Sequence, residues 1–270
     1  MNKRRVVITG LGVLAPNGNS LSQYWNALIS GKSGIGPIKS FDAENLSVKI
    51  AGELSDFNPE DHFNRKEVGK LDPFSIYALV TAKEAIFQAG LNNGDVNKER
   101  IGVIIGTGVG GIQTLESQHG VLLSRGQRRV TPYFVPKFIA NIAAGQIAIH
   151  HGFQGPNHTV ISACASGTDA IGTAARTIQY GDAEVVITGG TEASVTPLTI
   201  SGFANMRALS TRNDDPTGAS RPFDLDRDGF VLGEGAASLI LEDAEHAKAR
   251  GATILAELAG YGATDDAYHI

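Results

Sequence analysis

Three features of this 270-residue sequence predict an α/β layered fold built on a mainly parallel sheet. Short apolar, β-branched runs alternate with stretches of helical periodicity. Several of these helical stretches are long enough to act as crossovers between parallel strands. Glycine is frequent, 33 residues against an average near 7 per cent, and many glycines directly follow an apolar run, where tight turns meet ligands or other backbones.

The elements follow in chain order. The run Arg5–Thr9, containing Val6-Val-Ile-Thr9, reads as an opening strand, and Leu21–Ile29 as the first helix. A strand at Val48–Leu54 precedes a helix at Phe74–Ala89, and Ile101–Gly106 is a strand that ends in glycine. The Ala/Ile-rich stretch Phe138–His150 carries few charges and is expected to be a buried helix. Thr159–Ala163 reads as a strand, and Asp169–Tyr180 as a second buried helix. Strands at Ala183–Gly189 and Ala236–Leu241 enclose a polar segment, Arg207–Asp228, expected to be a long loop of the kind that carries function. A short helix, Ala244–Arg250, and a strand, Ile254–Gly260, complete the pattern. No short-period repeat, low-complexity tract or linker between two domains is evident.

Composition narrows the function classes. The length allows one large or two small domains. A single cysteine excludes a disulfide framework and points to a reducing cytoplasm. No stretch reaches the roughly 20 apolar residues of a membrane helix, and the start reads as a strand and not as a signal peptide, so no membrane partner is expected. The net charge of −5 argues against nucleic acid as the main partner.

The cysteine itself is the most informative residue. Cys164 lies in His158-Thr-Val-Ile-Ser-Ala-Cys-Ala-Ser-Gly-Thr168, where an apolar run passes into small residues and then into an alanine-rich helix. That places the thiol on a strand-to-helix turn, where unpaired N–H groups and the positive dipole end favour thiolate. Ala163, Ala165, Ser166 and Gly167 leave the sulfur open to approach. A lone cysteine also serves as a small buried hydrophobe, and the residues alone leave both readings open.

Competing motifs are weaker. Gly10-Leu-Gly12-Val-Leu-Ala15 and Gly106-Thr-Gly108-Val-Gly-Gly111 both fit a dinucleotide-binding pattern. Pro16-Asn-Gly18 follows the first where a helix should run, and neither is followed by the acid-tipped strand that ribose recognition requires. The alternative is that these glycines let backbones pack closely at sheet ends. The histidines show no ligand spacing, so no metal is expected, and G-x-S-x-G is absent. Basic residues gather at Arg65, Lys66 and Lys70 and again at Arg125, Arg128 and Arg129, with Lys137, Arg207 and Arg212 elsewhere. They form either a patch for an acidic partner or unrelated solvated side chains.

Taken together the motifs resemble the condensing-enzyme (β-ketoacyl synthase, thiolase-like) family. The matching stretches include Arg4-Arg-Val-Val-Ile-Thr-Gly-Leu-Gly12, Gly106-Thr-Gly-Val-Gly-Gly111, Pro132-Tyr-Phe-Val-Pro136, Ala140-Asn-Ile-Ala-Ala-Gly145 and Ser162-Ala-Cys-Ala-Ser-Gly167. Further matches are Gly181-Asp-Ala-Glu184, Gly189-Gly-Thr-Glu192 and Ala208-Leu-Ser-Thr-Arg212. The longest is Arg221-Pro-Phe-Asp-Leu-Asp-Arg-Asp-Gly-Phe-Val-Leu-Gly-Glu-Gly235.

The resemblance implies a thiolase-like layered fold, of which residues 1–252 form the first half and 253–270 open the second. It implies that Cys164 accepts an acyl chain from acyl carrier protein, and that malonyl carrier protein, after decarboxylation, attacks the acyl-cysteine in fatty acid elongation. The Cys164 N–H would be one oxyanion donor. Val109, Ala163 and Phe203 would line the acyl pocket, and Phe134 would reach toward the pocket of a second subunit in a homodimer. Lys66, Lys70, Arg125, Arg128, Arg129 and Arg207 would dock the acidic carrier, with Gly69 standing where relatives often carry a basic residue. No resident cofactor is implied, because phosphopantetheine arrives on the carrier. A polyketide-type synthase or a carrier-docking or dimerisation module are the alternatives.

The family's second half supplies two active-site histidines, a lysine and a Gly-Phe-Gly-Gly-Thr-Asn loop, and none of these motifs occurs in the 270 residues. Half of a two-half core would expose a large apolar face. The chain is therefore expected to be one part of a longer polypeptide, or to fold with a complementary piece.

Overall fold

β1 (Val6–Leu14) is the strand on which the architecture is laid. The computed structural model describes residues 3–54, 56–92 and 96–268. The outermost ends of the first and second halves expected from the sequence, residues 1–2 and 269–270, lie outside the described residues. After β1 come α1 (Leu21–Ile29), the hairpin β2 (Gly36–Pro37) and β3 (Ile50–Ala51), α2 (Arg65–Val68) and α3 (Pro73–Gln88). β4 (Ile101–Gly106), α4 (Ile112–Arg125), α5 (Phe134–Phe138), α6 (Ile142–His151) and β5 (Asn157–Val160) follow. The chain continues through α7 (Ser166–Gln179), β6 (Val185–Glu192), α8 (Pro197–Asn205), β7 (Gly235–Asp243), α9 (Ala244–Ala249) and β8 (Ala256–Glu257).

Six of these strands form one sheet in the order β5-β4-β6-β7-β1-β8. β4 pairs parallel with β5 and β6, whereas β7 runs antiparallel to both β6 and β1, and β8 antiparallel to β1. The sheet is thus mixed, a correction to the mainly parallel expectation. Its cause is the excursion 193–234: Glu192, the last residue of β6, pairs with Gly235, the first of β7, so the segment leaves and returns at the same sheet end. A connection of that kind reverses the strand, whereas a crossover helix preserves its direction. The stretch expected to be a strand over Ile254–Gly260 contributes only Ala256–Glu257, on the free edge of β1.

Period-two alternation sorts the sheet's side chains into two cores. Ile101, Val103 and Ile105 of β4, Val185 and Ile187 of β6 and Ile240 of β7 face α3 and α6. Ile104, Val186 and Leu241, with Val6 of β1, face the alanine stripe Ala170, Ala174, Ala175 and Ile178 of α7. Sequence expected α6 and α7 to be the buried helices. The most deeply buried helix is α3, in which every residue from Phe74 to Ala82 is buried and the C-terminal part, with Lys83, Phe87 and Gln88, reaches solvent. α6 buries Ala143, Ala144 and Ile147 while Ile149 faces outward, and α7 buries one face.

The helix expected at Phe138–His150 begins only at Ile142, Phe138 being the last residue of α5. Ile139 is extended, and the Phe138 carbonyl accepts from the Gly111 N–H at 3.1 Å, which takes up the acceptor that would have continued α5.

The first glycine motif is internal to β1 and not a turn. A Cβ on Gly12 would meet the carbonyl oxygen of Thr81, and one on Gly10 the carbonyl oxygen of Ala85, so β1 lies backbone-to-backbone on α3. The sheet is thereby tied to its central helix, with Thr81 Oγ1 and Ser238 Oγ 2.8 Å apart across the same contact. At the opposite end, fully buried Glu242 is held by Arg250 (2.6 and 2.7 Å), His246 Nδ1 (2.6 Å) and Thr9 Oγ1 (3.0 Å).

Among the described residues no helix is long and apolar enough to cross a membrane. Gly12→Ala is expected to lower stability by about 2–3 kcal/mol or more, because α3 has no room to retreat. A denaturant midpoint unchanged from wild type would contradict the close packing of β1 on α3.

Candidate active site

Parallel strands that end together leave a crevice at their carboxyl ends, and ligands of α/β sheets bind there. β4 ends at Gly106, paired with Val160 of β5 and Gly190 of β6. Beyond Val160 the chain turns through Ile161 and Ser162 into a one-turn 3-10 helix, Ala163–Ala165, and then into α7. Cys164 sits on that turn and is exposed.

Two observations show how the turn is held. Ala163 has φ +50, a left-handed conformation that costs a residue with a Cβ about 1 kcal/mol or more. The buried Ser166 hydroxyl accepts from the Ser162 N–H at 2.9 Å and donates to the Ala163 carbonyl at 2.7 Å, closing the turn from inside. Gly106 admits this arrangement, since a Cβ there would collide with the Ser166 carbonyl. The Ala165 N–H donates to Ser162 O at 3.0 Å, whereas the Cys164 N–H donates to no group among the described residues and remains free to meet an oxygen on a bound substrate.

A cavity of about 640 Å³ opens over the thiol. Ala163, Cys164 and Val109 form one side, the end of β1 at Val13–Ala15 and the start of β7 another, and Phe203 and Phe230 the far wall. Phe203 and Phe230 meet edge to face, 5.4 Å between centroids. Of the pocket residues expected from sequence, Val109, Ala163 and Phe203 therefore converge with Cys164. Phe134 does not line this cavity. It lies half-buried on α5, stacked 5.6 Å from Phe138.

Two carboxylates that the sequence reading did not single out also line the cavity, Glu192 and Glu234. The Gly108 N–H donates to Glu192 at 2.6 Å and the Thr107 hydroxyl at 3.3 Å, and the Val109 and Gly110 amides add to the same field. The second glycine-rich loop is thus a nest of backbone N–H groups filled by the protein's own carboxylate, in place of a phosphate. Burial nonetheless pushes the Glu192 carboxyl above its ordinary range, these hydrogen bonds opposing the shift. Glu234 accepts from the Leu54 N–H at 2.9 Å and is likewise pushed up, chiefly by burial. Both acids fall inside quoted motifs, Gly189–Glu192 and Arg221–Gly235, where an acid directly after a glycine-rich apolar run was the available signal. Among the described residues no histidine or lysine lines the cavity, and no cluster of histidine, cysteine and acidic side chains has the make-up of a metal site.

The basic residues expected to dock a carrier fall on and just after α2, at the end of α4 and past α8. Lys66 belongs to α2, Lys70 lies 5.6 Å over the Tyr133 ring, and Lys137 Nζ donates to Gly69 O at 3.3 Å. Arg125 ends α4, Arg128 and Arg129 occupy the following 3-10 turn, and the Thr131 N–H returns to Gln118 of α4 at 2.9 Å. Lys70 and Lys137 thus tie the α2 segment to α5, and Arg125, Arg128 and Arg129 lie together at the end of α4. Arg207 stands apart, at φ +58 just past α8. The Arg207–Asp228 segment is a loop as expected, pinned where Asp228 accepts from Ser210 Oγ at 2.7 Å and the Thr211 N–H at 2.9 Å.

Comparison with known proteins agrees with this geometry. The profile of the β-ketoacyl synthase N-terminal domain matches residues 3–247. The 3-oxoacyl-[acyl-carrier-protein] synthase 2 of Synechocystis is 50% identical over 270 residues, covering 100% of this chain and 65% of the relative. A β-ketoacyl synthase from Burkholderia phymatum superposes with a TM-score of 0.89 at 35% identity, covering 98% of this chain and 65% of that one. A type II polyketide ketosynthase, solved with its acyl-carrier protein and bound to the hexaketide, gives 0.86 at 35% identity, covering 99% and 64%. The chain thus spans just under two thirds of the length of these relatives.

The raised Glu192 carboxyl has a consequence for stability. Its proton is held more tightly in the folded than in the unfolded state, so the folded state loses stability as pH rises through and above the usual carboxylate range. Glu192→Gln lacks that proton equilibrium. The difference in Tm, variant minus wild type, is expected to grow more positive from about pH 4 to about pH 7. A difference that stays flat or falls over that range would contradict the burial of this acid.

Proposed function

The chain belongs to the β-ketoacyl synthase family, and from that premise we propose that Cys164 is the acyl-accepting nucleophile of a fatty-acid-elongating condensing enzyme. The carrying observation is the convergence of an exposed thiol, a free N–H on the same residue and an apolar cavity at the carboxyl ends of β4, β5 and β6.

In the first half-reaction the Cys164 thiolate attacks the carbonyl carbon of a carrier-bound acyl thioester. The Cys164 N–H meets the oxygen that becomes negative, and collapse expels the phosphopantetheine thiolate, leaving an acyl-cysteine. Val109, Ala163 and Phe203 would line the path of the chain. In the second half-reaction malonyl carrier protein loses CO₂, and the resulting carbanion attacks the acyl-cysteine carbonyl. The Cys164 thiolate then departs and a β-ketoacyl thioester two carbons longer is released. The histidines that this second step needs would come from a part corresponding to the relatives' remaining third, since none lines the cavity among the described residues.

The basic residues of α2 and of the end of α4 would receive the acidic carrier protein; the related polyketide ketosynthase, solved with its acyl-carrier protein, supports a carrier as the partner. The 50% identity to the 3-oxoacyl-[acyl-carrier-protein] synthase 2 of Synechocystis, along the whole of this chain, supports the fatty acid reading. A homodimer belongs to the same reading, with β5 left at the edge of the sheet. The single, exposed, unpaired cysteine suits a cytoplasmic setting.

Incubation with a long-chain acyl carrier protein is expected to add one acyl mass to the intact chain, and none to Cys164→Ala, which should keep its fold because little volume is lost. An unmodified wild-type mass would contradict acyl acceptance by these residues. Reversing Arg128 and Arg129 to glutamate is expected to weaken carrier binding about tenfold at low salt, with the gap closing at high salt. Titration calorimetry at two ionic strengths checks this, and equal affinities at low salt would remove these arginines from the docking surface.

A further inference from the structure

The turn that carries Cys164 is tied to a residue far along the chain. Asp169, in the first turn of α7, accepts from Ser162 Oγ at 2.5 Å through one carboxylate oxygen and from Tyr261 Oη at 2.6 Å through the other. The two hydrogen bonds hold its carboxyl below the usual range, the Ser162 bond contributing most. Ser162 is the residue directly before Ala163, whose left-handed φ sets the direction in which Cys164 leaves the turn.

Tyr261 is itself held by two further contacts on the same helix face. The Arg176 guanidinium lies 5.2 Å over its ring. Gly172 leaves the space that the ring occupies, for a Cβ at that position would fall among its carbons. Asp169, Gly172 and Arg176 follow the i, i+3, i+7 spacing of one helical stripe, so α7 presents a seat shaped to this one side chain. A surface tyrosine without a role needs no such seat.

We propose that Tyr261 is a positioning residue for the nucleophile, acting through Asp169 and Ser162 to hold the Cys164 turn in its reactive geometry. The inference rests on the acyl-transfer reading and deepens it. By bonding Asp169 on the side away from Ser162, Tyr261 fixes the carboxylate and so limits rotation of the Ser162 side chain. The two seryl contacts, Ser162 to Asp169 and Ser166 to Ala163, then hold both sides of the strained residue. A thiolate displaced by a fraction of an ångström from its line of attack reacts more slowly although substrate binds as before.

The test uses the full chain and three small changes: Tyr261→Phe, which keeps the ring in its seat, Asp169→Asn and Ser162→Ala. Each is expected to lower the saturating rate of acyl transfer onto Cys164 about three- to tenfold, leaving the half-saturating carrier concentration within about twofold. The Tyr261→Phe/Ser162→Ala double variant is expected to lose no more than the slower single one, because both cut the same linkage. Amide exchange in a peptide covering 160–168 is expected to speed up in Tyr261→Phe, a readout that needs no carrier. Wild-type rates in all three variants, losses that multiply in the double variant, or unchanged exchange at 160–168 would each overturn the proposal. A wild-type chain that accepts no acyl group would instead overturn the acyl-transfer reading, and the exchange experiment would still decide the link between Tyr261 and the turn.

Discussion

The approach of the α7 N-terminus to the glycine-tipped ends of β4 and β6 is the constraint from which the site follows. The Ser166 carbonyl sits where a Cβ of Gly106 would be, and Gly167 packs on Gly190, with a Cβ on the latter falling 3.2 Å from the Gly167 Cα. Only residues without side chains let a helix start this close to a parallel pair. Because α7 starts there, the turn before it has little length in which to change direction. Ala163 takes the left-handed conformation, Cys164 is lifted to the surface, and the cavity opens between that turn and the start of β7. The strain at Ala163 is sustained by Ser166 on one side and by the Ser162–Asp169 contact on the other.

Buried carboxylates serve the same rigidity. Glu192 fills the glycine nest after β4, Asp72 joins the N-terminus of α3 to Thr114 of α4 at 2.6 Å, Glu234 joins the start of β7 to Leu54, and Glu242 gathers Arg250, His246 and Thr9. Each links segments far apart in sequence through donors whose geometry is fixed. Glu192 and Glu234 thereby fix walls of the cavity.

Much of this was legible in advance wherever a local pattern decides the outcome. β4 at Ile101–Gly106 and α1 at Leu21–Ile29 lie where periodicity puts them, and the small residues about Cys164 correctly signalled a strand-to-helix turn. What escaped depends on contacts between distant residues. Gly10 and Gly12 were legible as glycines of close backbone packing, but not that α3 is the backbone they meet. The direction of β7 is decided by where the 193–234 excursion returns, which no local pattern encodes. Tyr261 meets Asp169 across 92 positions, with nothing near either residue to announce the pair. The burial of α3 from Phe74 to Ala82 depends on the sheet and α6 packing over it.

The central claim is that these residues hold the acyl-accepting half of a condensing site and that the second half-reaction needs groups outside them. The most direct measurement loads Cys164 with an acyl chain, adds malonyl carrier protein, and follows both the acyl-cysteine and any β-ketoacyl carrier by mass. The expected result is an acyl-cysteine that persists with no condensed product, because among the described residues no histidine or lysine lines the cavity. Product formed by these 270 residues alone would contradict it.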